Sequence, residues 1–288
     1  MTRKEFNELF PTDDSCLDHL MNVRYGKRFL CRCNREANYY RVKGRRCYEC
    51  EFCGYQVFPT AKTPFENTRT PLKDWYHVMF LFCASRNGVA AKEVERQLGV
   101  TYKTAWRMCN RIRHHMKIVD GDTPIGGDGP GSPVVEVDKH FVGGRDKRGE
   151  DDKTIVLGMA ERGGDVITRV VEDRRATTVI PHIVEHVKAG SKVATDEGRT
   201  FADLRVEGYW HATVNHSAKE YVRGPVHTNT IEAFWANVKR GIKGTYVHVS
   251  ARHLPSYLGE FEFRHNLRFA PYAMFPALLQ SFAPTHRP

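Results

Sequence analysis

The spacing of apolar and polar positions changes repeatedly along this chain. Residues 13–24, DDSCLDHLMNVR, predict a short helix with acidic residues at its start. Residues 29–58 alternate Tyr and Val with basic side chains, as small β-ribbons do, and from 71 to 116 the spacing turns helical. The stretch DGDTPIGGDGPGSP (120–133) carries five glycines and three prolines in 14 positions and predicts a flexible linker. Beyond it PVVEVDKHFVGG, KTIVLGMAE and DVITRVVED predict three strands joined by short turns. TTVIPHIVEHVKAG predicts a helix interrupted at Pro181, and SKVATDEG a buried strand ending in an acid. Strands, a helix, another strand and closing helices predict an α/β fold built on a mixed sheet.

Composition narrows the class. The 288 residues are 41% hydrophobic and 27% charged, enough for two or three folded domains. A formal charge of +10 points to a polyanionic partner, with nucleic acid ahead of a membrane surface. No apolar run reaches the roughly 18 residues of a membrane span. The opening MTRKEFNELFPTDDSC has acids and no apolar signal core, so a cytoplasmic location is expected. Five of the eight cysteines (Cys31, Cys33, Cys47, Cys50, Cys53) fall within 23 positions, which predicts a metal site in a reducing compartment and not a disulfide framework.

Cys50-x-x-Cys53 followed by Gly54 is a zinc-knuckle pattern, because the glycine permits the turn that aims both thiolates inward. Its partner pair, Cys31-Arg32-Cys33, is one residue short, yet thiolates so spaced still reach one tetrahedral ion at about 2.3 Å. The predicted zinc ligands are Cys31, Cys33, Cys50 and Cys53, with Cys47 an alternative to Cys31. The competing reading is a set of free buried thiols.

GVAAKEVERQLGVTYKTAWRMCNRIRHHM predicts two helices around a Gly99-Val100-Thr101 turn. Ala105, Cys109, Ile112 and Met116 recur as one inner stripe of the second helix. That leaves Tyr102, Lys103, Thr104, Arg107, Asn110 and Arg111 outward, types suited to major-groove edges and phosphates. A plain helical hairpin with a solvated face is the alternative; the charge and the ribbon favour a helix-turn-helix that binds DNA.

Asp138 in VVEVDKHF and Asp196 at the end of KVATD place carboxylates on strands that otherwise exclude charge. Each alone could be a strand-end residue. Glu232, in HTNTIEAFWANVKRGIKGTYVHVS, could be an ordinary helix-start acid, with Asn229 as N-cap and Glu232 three positions on, as in a capping box. At about 100° per residue, however, Glu232 and Lys239 lie within roughly 20° of each other. Ile231, Phe234 and Val238 form a separate docking stripe, with Trp235 between. Two strand aspartates and a helical glutamate suit two Mg²⁺ (or Mn²⁺) ions, one activating the attacking oxygen and one stabilising the leaving oxygen of a phosphodiester.

With these residues in place the chain resembles the ISXO2-like transposases of the IS1595 group. The matching segments are CLDHLMNVRYG, CEFCGYQVFPTAKTPFENTRTPLKDWY, KEVERQLGVTYKTAWRMCNRIR, VEVDKHFVGG, TDEGRTF, VNHSAKEYV, HTNTIEAFWANVKRGIKGTYVHVS and EFEFRHNLR, in order over nearly the whole chain. The resemblance implies an RNase H-like core whose acidic triad and lysine fall on Asp138, Asp196, Glu232 and Lys239. It also implies Mg²⁺-dependent strand cleavage and transfer, double-stranded element-end and target DNA as partners, a nucleoid-associated homo-oligomer, and no membrane partner. Lys139-His140 departs from the acid and small hydroxyl residue usual after the first aspartate. The expected organisation is a helical segment (1–28), zinc ribbon (29–62), helix-turn-helix (71–118), linker (119–133), catalytic domain (134–275) and tail (276–288). An RNase H-type nuclease without transfer activity and a transposase-derived regulator that no longer cuts are the alternatives. His216 and His227 flank the site as either DNA contacts or structural histidines.

Overall fold

The structure, a computed structural model, describes residues 1–145, 151–196, 199–214 and 226–282. His216 lies outside the described residues, as do most of VNHSAKEYV and residues 197–198 of TDEGRTF. The chain divides into two compact units, Met1–His115 with Ala270–Pro288, and Met116–Phe269.

The first unit opens with α1 (Arg3–Leu9) and α2 (Asp13–Tyr25), each started by a threonine whose hydroxyl accepts a backbone N–H of the first turn. A four-stranded antiparallel ribbon follows: β1 (Arg28–Leu30), β2 (Glu36–Arg41), β3 (Tyr48–Cys50) and β4 (Gln56–Val57). α2 is tied to it through Arg41–Asp14 (2.6 Å) and Arg46–Asp13 (3.2 Å), so helix and ribbon are one body. α3 (Leu72–Ala84) has no local side-chain cap; the Asp13 carboxylate accepts its first amides, from Leu72 and from Lys73 at 3.1 Å. α4 (Ala91–Leu98) ends at Gly99 in the left-handed conformation (φ 66°), and α5 (Tyr102–Asp120) follows the predicted turn.

Residues 276–282 differ from the expected tail. α9 (Met274–Gln280; α6 to α8 lie in the second unit, below) buries Met274, Phe275, Leu278 and Leu279 within the first unit. Phe275 packs against Phe6 (6.0 Å) and Phe80 (6.1 Å), and Phe282 stacks on His115 (4.5 Å). So many apolar side chains at one chain end must be covered, and a local pattern does not say by what.

The second unit is a five-stranded sheet in the order β7-β6-β5-β8-β9. β5 (Val135–Arg145), β6 (Asp151–Glu161) and β7 (Val166–Val171) form an antiparallel meander; β8 (Lys192–Asp196) and β9 (Trp210–Val214) add in parallel to β5. Val135, Val137, Leu157 and Met159 face α6 (Ala176–His186) and a 3-10 helix (Arg199–Arg205); Val156 and Ala160 face α7 (Asn229–Gly241) and α8 (Leu254–Asn266). Pro181 does not interrupt α6. Its ring is on the exposed side, and the Thr177 carbonyl it leaves unbonded is at an exposed position, while Val179, Ile180 and Ile183 hold the helix down.

The glycine-rich stretch is also more ordered than a flexible linker. Ile125 is in the core and pairs with Val187, the Gly127 amide donates to Ser191 Oγ (2.9 Å), and Gly126 adopts φ 84° where a Cβ would strike Ser191. One apolar residue among glycines anchors the segment to the sheet's helical layer.

Candidate active site and cysteine cluster

Alternation along β5 sorts its polar residues. Glu136, Asp138 and His140 point to the α7 face, while Lys139 and Phe141 point to the α6 face. The parallel register pairs Val135 with Val193, Glu136 with Ala194 and Val137 with Thr195. One step further sets Asp138, inside β5, beside Asp196, the last residue of β8, so the two acids lie on adjacent parallel strands. On α7 the stripe of Ile231, Phe234 and Val238 is buried, which leaves Glu232 and Lys239 to face the two aspartates. Asp138, Asp196, Glu232 and Lys239 line one cavity of about 390 Å³.

Two N–H groups hold the Asp138 carboxylate: the Lys139 amide (2.8 Å) and the Trp235 indole (3.1 Å). Burial and the neighbouring Asp196 nevertheless push its pKa up to about 6. The indole reaches Asp138 because the residue paired with it on β6 is Gly158. A Cβ there would come 2.9 Å from Trp235 Cη2 and 2.7 Å from Ile231 Cδ1, and closer still to Trp235 Cζ2. His140 stacks on the indole at 5.1 Å; burial and Lys239 lower its pKa to about 4, so it is neutral at pH 7.

The capping-box alternative for Glu232 is not what the helix start shows. Asn229 is the first residue of α7, and the residue before it, Thr228, gives no side-chain cap. Thr228 Oγ1 instead donates to Glu232 Oε1 (2.7 Å), holding the glutamate from one turn back. The Thr230 and Ile231 amides donate to Glu136, at 2.6 and 3.1 Å. Glu136, Trp235 and Gly158 are the site residues that sequence reasoning missed. An available signal was that Glu136 shares the inward phase of Asp138 in the same apolar strand. His227 Nδ1 lies 3.0 Å from Glu136 Oε1 and 3.4 Å from the Asn229 amide, at the start of α7.

Asp196 also borders a second cleft, of about 660 Å³, lined by Lys139, Phe141, Arg174, Arg175 and Thr200. Lys139 Nζ donates to Thr200 Oγ1 (2.9 Å), and the Arg174 guanidinium lies 5.6 Å from the Phe141 ring. Lys239 borders a third opening with Arg240 and Lys243. Cationic side chains thus flank the acids on two sides.

In the first unit, Cys31, Cys33, Cys50 and Cys53 converge, with ligand atoms all within 4.8 Å of one another. Cys31 Sγ and Cys53 Sγ are 3.6 Å apart, close to the roughly 3.8 Å edge of a tetrahedron with 2.3 Å metal–sulfur bonds. The shortened Cys31-Arg32-Cys33 pair closes because Asn34 takes the left-handed conformation (φ 58°), as Gly54 (φ 69°) does for the second pair. Cys47, the alternative ligand, is buried elsewhere against Gln56. On α5, Tyr102, Lys103 and Arg107 are exposed, and Thr104 and Asn110 half-buried. Arg111 donates to the Pro64 and Glu66 carbonyls at 2.9 and 3.1 Å, which commits its guanidinium to the unit's own loop.

The ISXO2-like transposase domain family matches residues 125–266, and the transposase zinc-ribbon domain family matches residues 11–56. The chain belongs to the ISXO2-like transposases. The first match spans Asp138 to Lys239, and the second begins two residues before α2 and spans all four clustered cysteines. A protein described as an uncharacterized protein in transposable element ISH50 of Halobacterium salinarum is 26% identical over 260 residues, 82% of this chain and 84% of that protein. An uncharacterized transposase-like protein of Haemophilus influenzae is 34% identical over 101 residues, 35% of this chain and 80% of that protein. The zinc-ribbon family and the four-cysteine cluster agree on Zn²⁺, and both families imply DNA as partner. Among the described residues, no helix of this transposase is long and apolar enough to cross a membrane.

Proposed function

We propose that this transposase cuts and joins DNA at the cavity between β5, β8 and α7, with Asp138, Asp196 and Glu232 as ligands for Mg²⁺ (or Mn²⁺). The observation that carries the reading is the convergence of three carboxylates and Lys239, from segments far apart in sequence, on one small cleft. The donor set fits the ion: three carboxylates with oxygen donors alone suit Mg²⁺, whereas zinc prefers sulfur and nitrogen. When bound, the ion supplies Lewis-acid activation of the attacking oxygen and charge stabilisation at the leaving oxygen. The rest is the work of the chain. Trp235 and the Lys139 amide orient Asp138, Thr228 orients Glu232, and Lys239 offers a cation to a phosphate beside the acids. Lys139 and Arg174, across Asp196, would carry the adjoining strand, with Phe141 available to a base face.

The core is proposed to be RNase H-like, in keeping with a mixed sheet that carries both aspartates on adjacent parallel strands. α4 and α5 are proposed to act as a helix-turn-helix that reads the element's ends through Tyr102, Lys103, Thr104, Arg107 and Asn110. Arg111 holds the loop 64–66 and is better placed to support the motif than to read bases. The ribbon, organised by Zn²⁺ on Cys31, Cys33, Cys50 and Cys53, adds Arg32 and Arg35 for phosphates. Transfer to target DNA in a homo-oligomeric complex completes the reading. The test uses Asp138→Asn and Asp196→Asn protein on a DNA fragment carrying the gene's own flanking sequences. Both variants should bind the fragment like the parent and lose Mg²⁺-dependent cleavage; cleavage at the parent rate by either would overturn the assignment.

A further inference from the structure

Glu136 is completely buried, two residues before Asp138 and on the same face of β5. An isolated carboxylate in such a place is costly, and this one is surrounded by donors. Arg162, in the turn after β6, donates through Nε to Glu136 Oε1 at 2.6 Å. Thr230 gives its amide (2.6 Å, to Oε2) and its hydroxyl (3.0 Å, to Oε1), and Ile231 gives its amide (3.1 Å, to Oε2). His227 Nδ1 lies 3.0 Å from Oε1, and Arg162 also donates to the His227 carbonyl at 2.9 Å.

Thr228, the residue before α7, gives the helix no side-chain cap, and the Asn229 amide reaches His227 Nδ1 at 3.4 Å. The next two amides, of Thr230 and Ile231, end on an acid from the central strand, where the helix dipole favours negative charge. Consequently β5, the β6–β7 turn and the first turn of α7 meet at one side chain. That side chain is two residues from Asp138 on the strand, and its helix partner Thr230 is two residues from Glu232. We propose that Glu136 is a positioning residue: it clamps the start of α7 to β5 and so fixes how Glu232 faces Asp138 across the cleft. The inference rests on the reading of Glu232 as a metal ligand. It also explains why α7 can present an acid beside Asp138 while its own N-terminus faces inward: Glu136 accepts the Thr230 and Ile231 amides, and Glu232 is left to Thr228 and the cleft.

The test is Mn²⁺ binding to the full-length, zinc-loaded protein by titration calorimetry, without DNA, for the parent, Glu136→Gln, Thr230→Val and Glu232→Gln. Outer-shell substitutions typically weaken metal binding 10–100-fold. Glu136→Gln should fall roughly in that range, and Thr230→Val, which removes only the hydroxyl bond, should weaken binding less and in the same direction. Parent-like Mn²⁺ affinity in a folded Glu136→Gln protein, with binding lost in Glu232→Gln, would overturn the clamp and leave the site standing. Parent-like affinity in Glu232→Gln would instead remove the metal-ligand reading itself. Should Glu136→Gln fail to fold, Thr230→Val decides alone: unchanged affinity there overturns the proposal.

Discussion

Single residues set the geometry around Asp138. Gly158 leaves the space in which the Trp235 indole covers the strand and reaches that carboxylate. Gly158→Ala should displace the indole, destabilise the fold by about 1–3 kcal/mol, and reduce cleavage. Trp235→Phe keeps most of the packing and removes the N–H. It should leave the melting temperature nearly unchanged while cleavage falls about tenfold, the cost of roughly 1.4 kcal/mol in orienting Asp138. A Trp235→Phe enzyme as active as the parent would make the indole a packing residue only. Asp138 and Asp196 stood out in the sequence as acids in apolar strands, a signal that Glu136 shares within the same strand as Asp138. The roles of Trp235 and Gly158 were not legible there, since the indole meets an acid 97 positions away and the glycine matters only through that indole.

At the scale of elements, local rules predicted most helices and strands but not β9 or α9, and missed how helix ends are satisfied. α3 and α7 get no side-chain cap from the residue before them and take carboxylates from other elements, Asp13 and Glu136. That pairing depends on the fold and is invisible to a capping pattern. The end of α5 gives a pH prediction. Burial and the nearby Glu262 of α8 push the Asp120 pKa up to about 8, with Asn266 as its hydrogen-bond partner. Unfolded, the same carboxyl ionises near 3.9. Between these values the folded state holds the extra proton, so stability is greatest below about pH 4 for this group and declines as pH rises through about 8. Asp120→Asn keeps the contact to Asn266 and removes the titration. Its melting temperature should therefore fall less than the parent's between pH 5 and pH 9. Parallel curves for the two proteins would contradict the assignment.

At the scale of the molecule, the sequence announced a basic, DNA-directed protein with a metal-bound ribbon. It did not announce that the last helix returns to the first unit, because Leu278, Leu279 and Phe282 specify burial without specifying a partner. The ribbon has too small a core to fold on cysteine packing alone, so its order should depend on metal. The purified chain is expected to hold close to one equivalent of zinc, and chelation should abolish binding to the element's ends; less than about half an equivalent would count against a structural site. On the exposed face of α5, Arg107→Ala should weaken binding to the specific ends by roughly 1–3 kcal/mol if it contacts a base edge. Equal losses on specific and random DNA would assign Arg107 to phosphate instead.

The claim on which the rest depends is that Glu232 completes an acidic metal site with Asp138 and Asp196. Glu232→Gln tests it most directly, because the amide oxygen still accepts the Thr228 hydroxyl and the Thr230 and Ile231 amides remain with Glu136. The measurement is Mg²⁺-dependent cleavage of end-bearing DNA, paired with the melting temperature of the same preparation. The account predicts a melting temperature within a few degrees of the parent and cleavage lower by orders of magnitude. A Glu232→Gln protein that cleaves at near the parent rate would contradict it and leave Glu232 a helix residue bonded to Thr228.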